Sequence, residues 1–224
     1  MERRATASLA SLYGFRMLGL FMVLPVLALY MDDYDGASPL MLGLTLGAYG
    51  LTQALLQIPL GLLSDRIGRR PVIVGGLLIF VAGSIFAANA DSMVELVIGR
   101  AMQGMGAIAS TLMAMVTDLT SEENRTKAMA AIGGSIGLSF ILAMIVGPLI
   151  AASVGLAGIF WLTAGLGLLG ILMFISQVPR ATVVQKNRET LADIKQIGQL
   201  LRNPTLLRLN LGIFALHLAL LEAV

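Results

Sequence analysis

Residues 61–70, Gly-Leu-Leu-Ser-Asp-Arg-Ile-Gly-Arg-Arg, set four charges between two long apolar runs. Charges this dense between membrane-length segments must lie at a water-facing turn. Each residue type there has a physical use. Gly61 has no side chain, so another helix can approach the end of the preceding span closely. Asp65 can accept hydrogen bonds from a nearby helix N-terminus. Gly68 permits the left-handed backbone of a tight turn. Arg69 and Arg70 can pair with carboxylates or lipid phosphates. Arg66, Arg69 and Arg70 also satisfy the bias of basic residues toward the cytoplasmic side, which an acid such as Asp65 does not serve.

A second set of polar residues lies inside the apolar runs. Arg100 falls about six residues, or about 9 Å, from the start of its span. An unpaired arginine there costs at least about 2.5–3.5 kcal/mol, so it must face the bundle interior or a wet cavity. Gln103 is a polar partner one turn on, and Gly104 and Gly106 allow close packing. Arg16 sits halfway along the first run. Glu222 is a candidate protonation site because an intramembrane acid suggests function; His217 reads as a hydrogen-bonded structural residue. Gly147-Pro148 loosens its helix and lets it pack tightly. The sequence has no cysteine, no His-Glu-x-x-His, no Gly-x-Ser-x-Gly and no phosphate-binding Gly-x-x-x-x-Gly-Lys-Ser/Thr. An enzyme, a metal site, a cofactor and nucleotide hydrolysis are therefore not expected.

These residues need helices in a bilayer to position them. Of the 224 residues, 57% are hydrophobic and only 12% are charged, against about 25% in soluble domains. Runs of roughly 20 apolar residues recur and predict spans at 8–30, 43–63, 71–90, 94–117, 127–152 and 157–178, with a seventh beginning near Thr205. The first run is too long for a cleaved signal and should stay. Thirteen of the fifteen basic residues fall on one side of this pattern, whereas the opposite loops carry Asp32, Asp33, Asp35 and Asp91. The basic side, with the N-terminus, is expected to be cytoplasmic. The net charge of +2 is too small to suggest nucleic acid. Residues 179–204 form a basic linker in which Leu191, Ile194, Ile197 and Leu201 recur at helical spacing, with a capping box at Thr190–Asp193 and a stop at Asn203-Pro204. It reads as a cytoplasmic amphipathic helix. The expected domains are thus an all-α six-helix membrane bundle at 1–178, the linker at 179–204 and a truncated seventh helix at 205–224. Because the last run stops at Val224, the sequence is expected to be a fragment of a longer protein.

The ten-residue pattern G-x-x-x-D-R-x-G-R-R, matched at every fixed position, resembles the signature loop between the second and third helices of the major facilitator superfamily of secondary transporters. Arg100-Ala101-Met102-Gln103-Gly104-Met105-Gly106 resembles that family's span-4 motif R-x-x-Q-G-x-G. Phe15–Pro25, Gly50–Ala54, Gln57-Ile58-Pro59 and Asn124–Ala130 are similar to a bacterial subgroup of drug/proton antiporters. In span 5, Gly147 and Pro148 match the exporters' motif, while Ala143 and Ala151-Ala152 stand where that motif has glycines.

The resemblance implies two six-helix halves with substrate between them, each half an inverted repeat of three plus three helices. It implies that Gly61, Asp65, Arg66, Gly68, Arg69 and Arg70, with Asp118 at the cytoplasmic end of span 4, form a charge cluster that breaks during the cycle and that latches the two halves together with a helix of the second half. It assigns Arg100 a part in proton coupling. Arg16 becomes either a counter-charge in the central cavity or the partner of a carboxylate in the second half. The expected function is proton-coupled efflux of small amphiphilic compounds by alternating access across a bacterial inner membrane. The expected partners are a small-molecule substrate, protons, the lipid bilayer and the C-terminal half of the same transporter. Uptake of a sugar or organic acid, and a non-transporting receptor, are the alternatives.

Overall fold

A computed structural model of the chain describes residues 2–178 and 203–222. Among these, regular structure is helical apart from one isolated β-bridge between Asp35 and Ser92. The helices are α1 (Glu2–Tyr30), α2 (Pro39–Ile67), α3 (Arg69–Ala88), α4 (Met93–Met105), α5 (Ala109–Leu119), α6 (Glu122–Gln177) and α7 (Pro204–Glu222). Four of them, α1, α2, α3 and α6, are long and apolar enough to cross a membrane.

Local chemistry explains where the helices begin and end. Ser38 caps α2 by accepting the Met41 N–H, with Pro39 in the first turn. Ser92 and Glu95 form a capping box at the start of α4. Gly68, at φ 100°, separates α2 from α3, and its N–H bonds the Ser64 carbonyl at 3.0 Å. A residue with a Cβ is strained at that φ, so this sharp turn needs glycine.

The fifth and sixth spans form one helical run, interrupted at Gly155, whose φ of 67° and ψ of −175° fold it back on itself. Contacts with α1 show the reversal. Gly14 and Met22 of α1 meet Ser139 and Gly147 in order, so the first arm (122–154) runs parallel to α1. Ser8, Leu12 and Gly19 meet Gln177, Gly170 and Thr163, so the second arm (156–177) runs antiparallel to it. At 56 residues α6 is long enough for two crossings.

The fourth predicted span, expected as one helix over 94–117, is instead α4 and α5 with a break at 106–108. Glycine marks the break, where α3 comes close. The Gly106 N–H turns back to the Gln103 carbonyl at 3.2 Å, and a Cβ on Gly106 would press on the Gly76 carbonyl and on Phe80, at 3.1 Å. The two pieces lie parallel to α2: Arg100 meets Thr45, Ser110 meets Gln57, and Asp118 meets Arg69 beyond the end of α2.

Buried apolar side chains gather in two clusters. One includes Leu9, Leu12, Ile73, Leu77, Leu112, Ile132 and Phe174. The other includes Met22, Val26, Leu27, Met93, Leu96, Ala151 and Phe160. Between them along the chain lie the buried polar residues Arg16, Ser84, Arg100, Gln103, Ser139 and Thr163. In contrast, α2 leaves Leu51, Leu55 and Ile58 exposed.

α7 belongs to a separate unit of the chain. The Asn203 side chain accepts the Thr205 N–H at 3.0 Å, so Asn203-Pro204 opens this helix. The predicted linker helix, with its capping box and Leu191, Ile194, Ile197 and Leu201, lies outside the described residues.

Candidate functional site

The first constellation sits where α2 turns into α3. Arg69 ion-pairs with Asp65 one turn earlier, and its Nε donates to Asp118 Oδ2 at the end of α5, 3.3 Å away. Its Nη1 donates to Ser64 Oγ at 2.7 Å, and Ser64 in turn donates to the Gly61 carbonyl at 2.6 Å. One guanidinium therefore ties the α2–α3 turn to span 4. Gly61 lets α5 approach, since a Cβ there would stand 3.1 Å from Ser110 Oγ. A shallow cleft between α2 and α5 is lined by Gln57, Gly61, Asp65, Arg69 and Ser110.

Arg70 does something else. It donates to the carbonyls of Ile175 at 2.7 Å and Val178 at 3.2 Å, and it lies over the Phe174 ring. A cation on the last carbonyls of a helix is favourable, so Arg70 fastens α3 to the end of α6. Arg66 is exposed.

The same end of the bundle holds another tie. The Glu2 carboxylate accepts the Ser121 backbone N–H and the Asn124 side-chain amide, capping the start of α6. The backbone bond from Ser121, more than any other contact, holds the Glu2 pKa below the usual carboxylate value. At the opposite end, the loops carrying Asp35 and Asp91 are joined through backbone. The Asp35 N–H bonds the Asp91 carbonyl at 3.1 Å, and the Met93 N–H bonds the Asp35 carbonyl at 2.9 Å. Tyr34 lies beside this junction; burial first, then the charges of Asp33 and Asp91, push its pKa up.

The second constellation is buried. Arg16 and Arg100 are each 1% exposed. Arg100 donates to Gln103 Oε1 at 2.9 Å and to the Thr45 carbonyl at 3.4 Å, and its guanidinium lies 4.9 Å from the centre of the Tyr49 ring. Gln103 passes the chain on, donating to Ser84 Oγ at 2.8 Å; Ser84 donates to the Phe80 carbonyl. Arg16 donates to Gln53 Oε1 at 2.9 Å and to the Gly106 carbonyl at 3.2 Å. It lies between the rings of Tyr49 and Phe80, at 5.8 and 5.6 Å. Among the described residues no carboxylate reaches either arginine. Both charges are met by amides, carbonyls and aromatic faces.

Two glycines set the spacing around these groups. A Cβ on Gly104 would overlap Thr52 and the Tyr49 backbone, so the contact of α4 with α2 depends on its absence. A Cβ on Gly147 would stand 2.9 Å from the Met22 carbonyl, and Pro148 follows it within the helix.

The residues singled out from sequence thus separate. Asp65, Arg69 and Asp118 come together, and Arg100 meets Gln103. Arg16 is buried against α2, α3 and the 106–108 break. The side chains of Glu222 and His217 lie outside the described residues. Sequence reasoning missed Ser64, Tyr49, Gln53, Thr45 and Ser84 as partners. Gln53 and Tyr49 were in principle visible as polar-tipped residues one turn apart within an apolar run. The Thr45, Gly106 and Phe80 contributions are backbone carbonyls, which carry no sequence signal.

Residues 9–222 match the sequence family of the Major Facilitator Superfamily. Over 99% of its length the chain is 51% identical to the inner membrane transport protein YajR of Escherichia coli K12, covering 49% of that protein. Over 56% of its length it is 33% identical to the multidrug transporter protein MdtP of Bacillus subtilis, covering 24% of it. Among solved structures, the human organic anion transporter MFSD10 superposes with a TM-score of 0.68 at 22% identity, over 80% of this chain and 48% of that one; this likeness is one of fold. The chain spans about half the length of YajR.

Proposed function

From the premise that the chain belongs to the major facilitator superfamily, we propose that it forms the N-terminal half of a secondary transporter of a bacterial inner membrane. The transporter exports small amphiphilic compounds in exchange for protons. The single observation that supports this best is the Arg69 cluster. One arginine joins acids from two different spans at the membrane boundary. Partly exposed ion pairs of this kind are worth about 0–1 kcal/mol. They hold one conformation without locking it, which suits one side of a latch whose other side a helix of the second half must supply. Residues 1–178 act as one six-helix bundle, 179–204 as the linker, and the helix from Pro204 as the first of the second half. Inside the bundle, Arg100 and Gln103 take part in proton coupling. The names of YajR and MdtP support a membrane transporter and a drug-like substrate respectively. Uptake of an organic acid is a second reading, favoured by the two buried arginines that have no acidic partner among the described residues.

The test uses the full-length protein in proteoliposomes with an imposed pH gradient. Asp65→Asn removes one charge from the cluster and should slow flux of a transported dye about tenfold, with insertion into the membrane unchanged. Equal rates for mutant and wild type would refute the latch.

A further inference from the structure

We propose that Arg16, Tyr49 and the first turn of α5 form a buried subsite for a carboxylate, and that the transported amphiphile is an organic anion. This rests on the transporter reading above and names its substrate class. Five buried side-chain polar atoms among the described residues have no hydrogen-bond partner. Three of them belong to the Arg16–Tyr49 pair, namely Nε and Nη1 of Arg16 and the Tyr49 hydroxyl, and a fourth, Thr111 Oγ1, lies in the first turn of α5. Buried donors of this kind are rarely left unmet, because stripping them of water without a replacement is costly.

Three features of the fold point to a negative ligand. Arg16 carries a guanidinium with five N–H donors and no acceptor, and is 1% exposed. It shares the Tyr49 ring with Arg100, so two cations stand on one aromatic side chain with no acid beside either among the described residues. Finally, α5 begins at Ala109, two residues after the Gly106–Ala107 stretch whose Gly106 carbonyl already holds Arg16, and the residue before it, Ile108, supplies no side-chain cap. The positive end of a helix therefore opens beside a guanidinium with free N–H groups, and discontinuous spans that present such ends to anionic groups are a known device in transporters. Tyr13, one turn before Arg16 on α1, and Phe80 are buried apolar surfaces for the rest of an amphiphile.

Three naphthalene probes of one shape and different charge test this: 1-naphthoate, 1-naphthamide and 1-naphthylmethylammonium. Binding to the full-length protein in detergent is measured for each, with a chloride titration alongside. Naphthoate should bind at least tenfold more tightly than the amide and the cation, and chloride should compete only weakly. Arg16→Gln should cut naphthoate affinity at least tenfold, Arg16→Lys should recover part of the loss, and Tyr49→Phe should cost about threefold. Equal binding of the three probes to wild type would overturn the subsite without recourse to any variant. So would tight chloride competition, which would assign the charge to an inorganic ion. Proton-driven flux of the same probes in proteoliposomes separates the two readings. Flux of the cation without naphthoate binding refutes the subsite and keeps the transporter; naphthoate binding with no driven flux of any probe does the reverse.

Discussion

Two groups of arginines in this bundle solve the same problem in opposite ways. Arg69, at the membrane boundary, has a side chain 25% exposed and is met by two acids, Asp65 and Asp118. Arg16 and Arg100, in the interior, are 1% exposed and are met by none among the described residues. At the boundary water shares the cost of each charge, so an ion pair there is cheap to form and cheap to break. In the interior a carboxylate would have to be stripped of water too. The bundle answers with dipoles instead: the Gln53 and Gln103 amides, the Thr45 and Gly106 carbonyls and the rings of Tyr49 and Phe80. A boundary cluster suits a switch, and an interior cation without a fixed counter-charge suits binding.

The largest effect expected from this contrast is at Arg100. Arg100→Gln in the full-length protein should reduce proton-driven flux about a hundredfold. Arg100→Lys should restore little, because one ammonium cannot reproduce the guanidinium's bonds to Gln103 and Thr45 together with its stacking on Tyr49. Flux of Arg100→Lys near wild type would show that charge alone matters there and would erase the contrast with Arg69.

Ionic strength sharpens the same comparison with a smaller effect. Between 0.1 M and 1 M salt the screening length falls from about 10 Å to about 3 Å. A pair of spin labels placed next to Asp65 and Asp118 should show a broader distance distribution at high salt, whereas labels bracketing Arg16 and Gln53 should not respond. Equal responses at both sites would mean that water reaches the interior cluster.

The smallest effect concerns Glu2. Its pKa is lowered on folding, so the cap it gives α6 is complete above the ordinary carboxylate value of 4.5 and is lost as pH falls through the lower folded value. Glu2→Gln should raise hydrogen exchange at the Ser121 amide about threefold at pH 7, and the difference from wild type should vanish in acid. An unchanged exchange rate at pH 7 would remove the tie.

Much of the fold was legible because a bilayer leaves the backbone few choices. Apolar runs bounded by charge must be helices, and α1, α2 and α3 fall where hydropathy puts them. The Gly68 turn was also legible, since its tight geometry demands glycine. The break in span 4 was not. Its two glycines read simply as close packing, and only the folded chain shows Gly76 and Phe80 against Gly106 with the helix interrupted there. Nor was the burial of Arg16 legible. Sequence placed a charge within a span but could not say which way it pointed.

Residue order alone, then, determined helices in a membrane, the side on which basic residues gather and the turn that joins the second and third spans. These follow from hydration and backbone hydrogen bonding, which act within a segment. Tertiary structure decided which acids Arg69 holds, that α6 folds back along α1 at Gly155, and that two arginines meet across one tyrosine ring. Those outcomes depend on side chains from spans far apart in the chain and on small residues that let helices touch, and no local pattern encodes either.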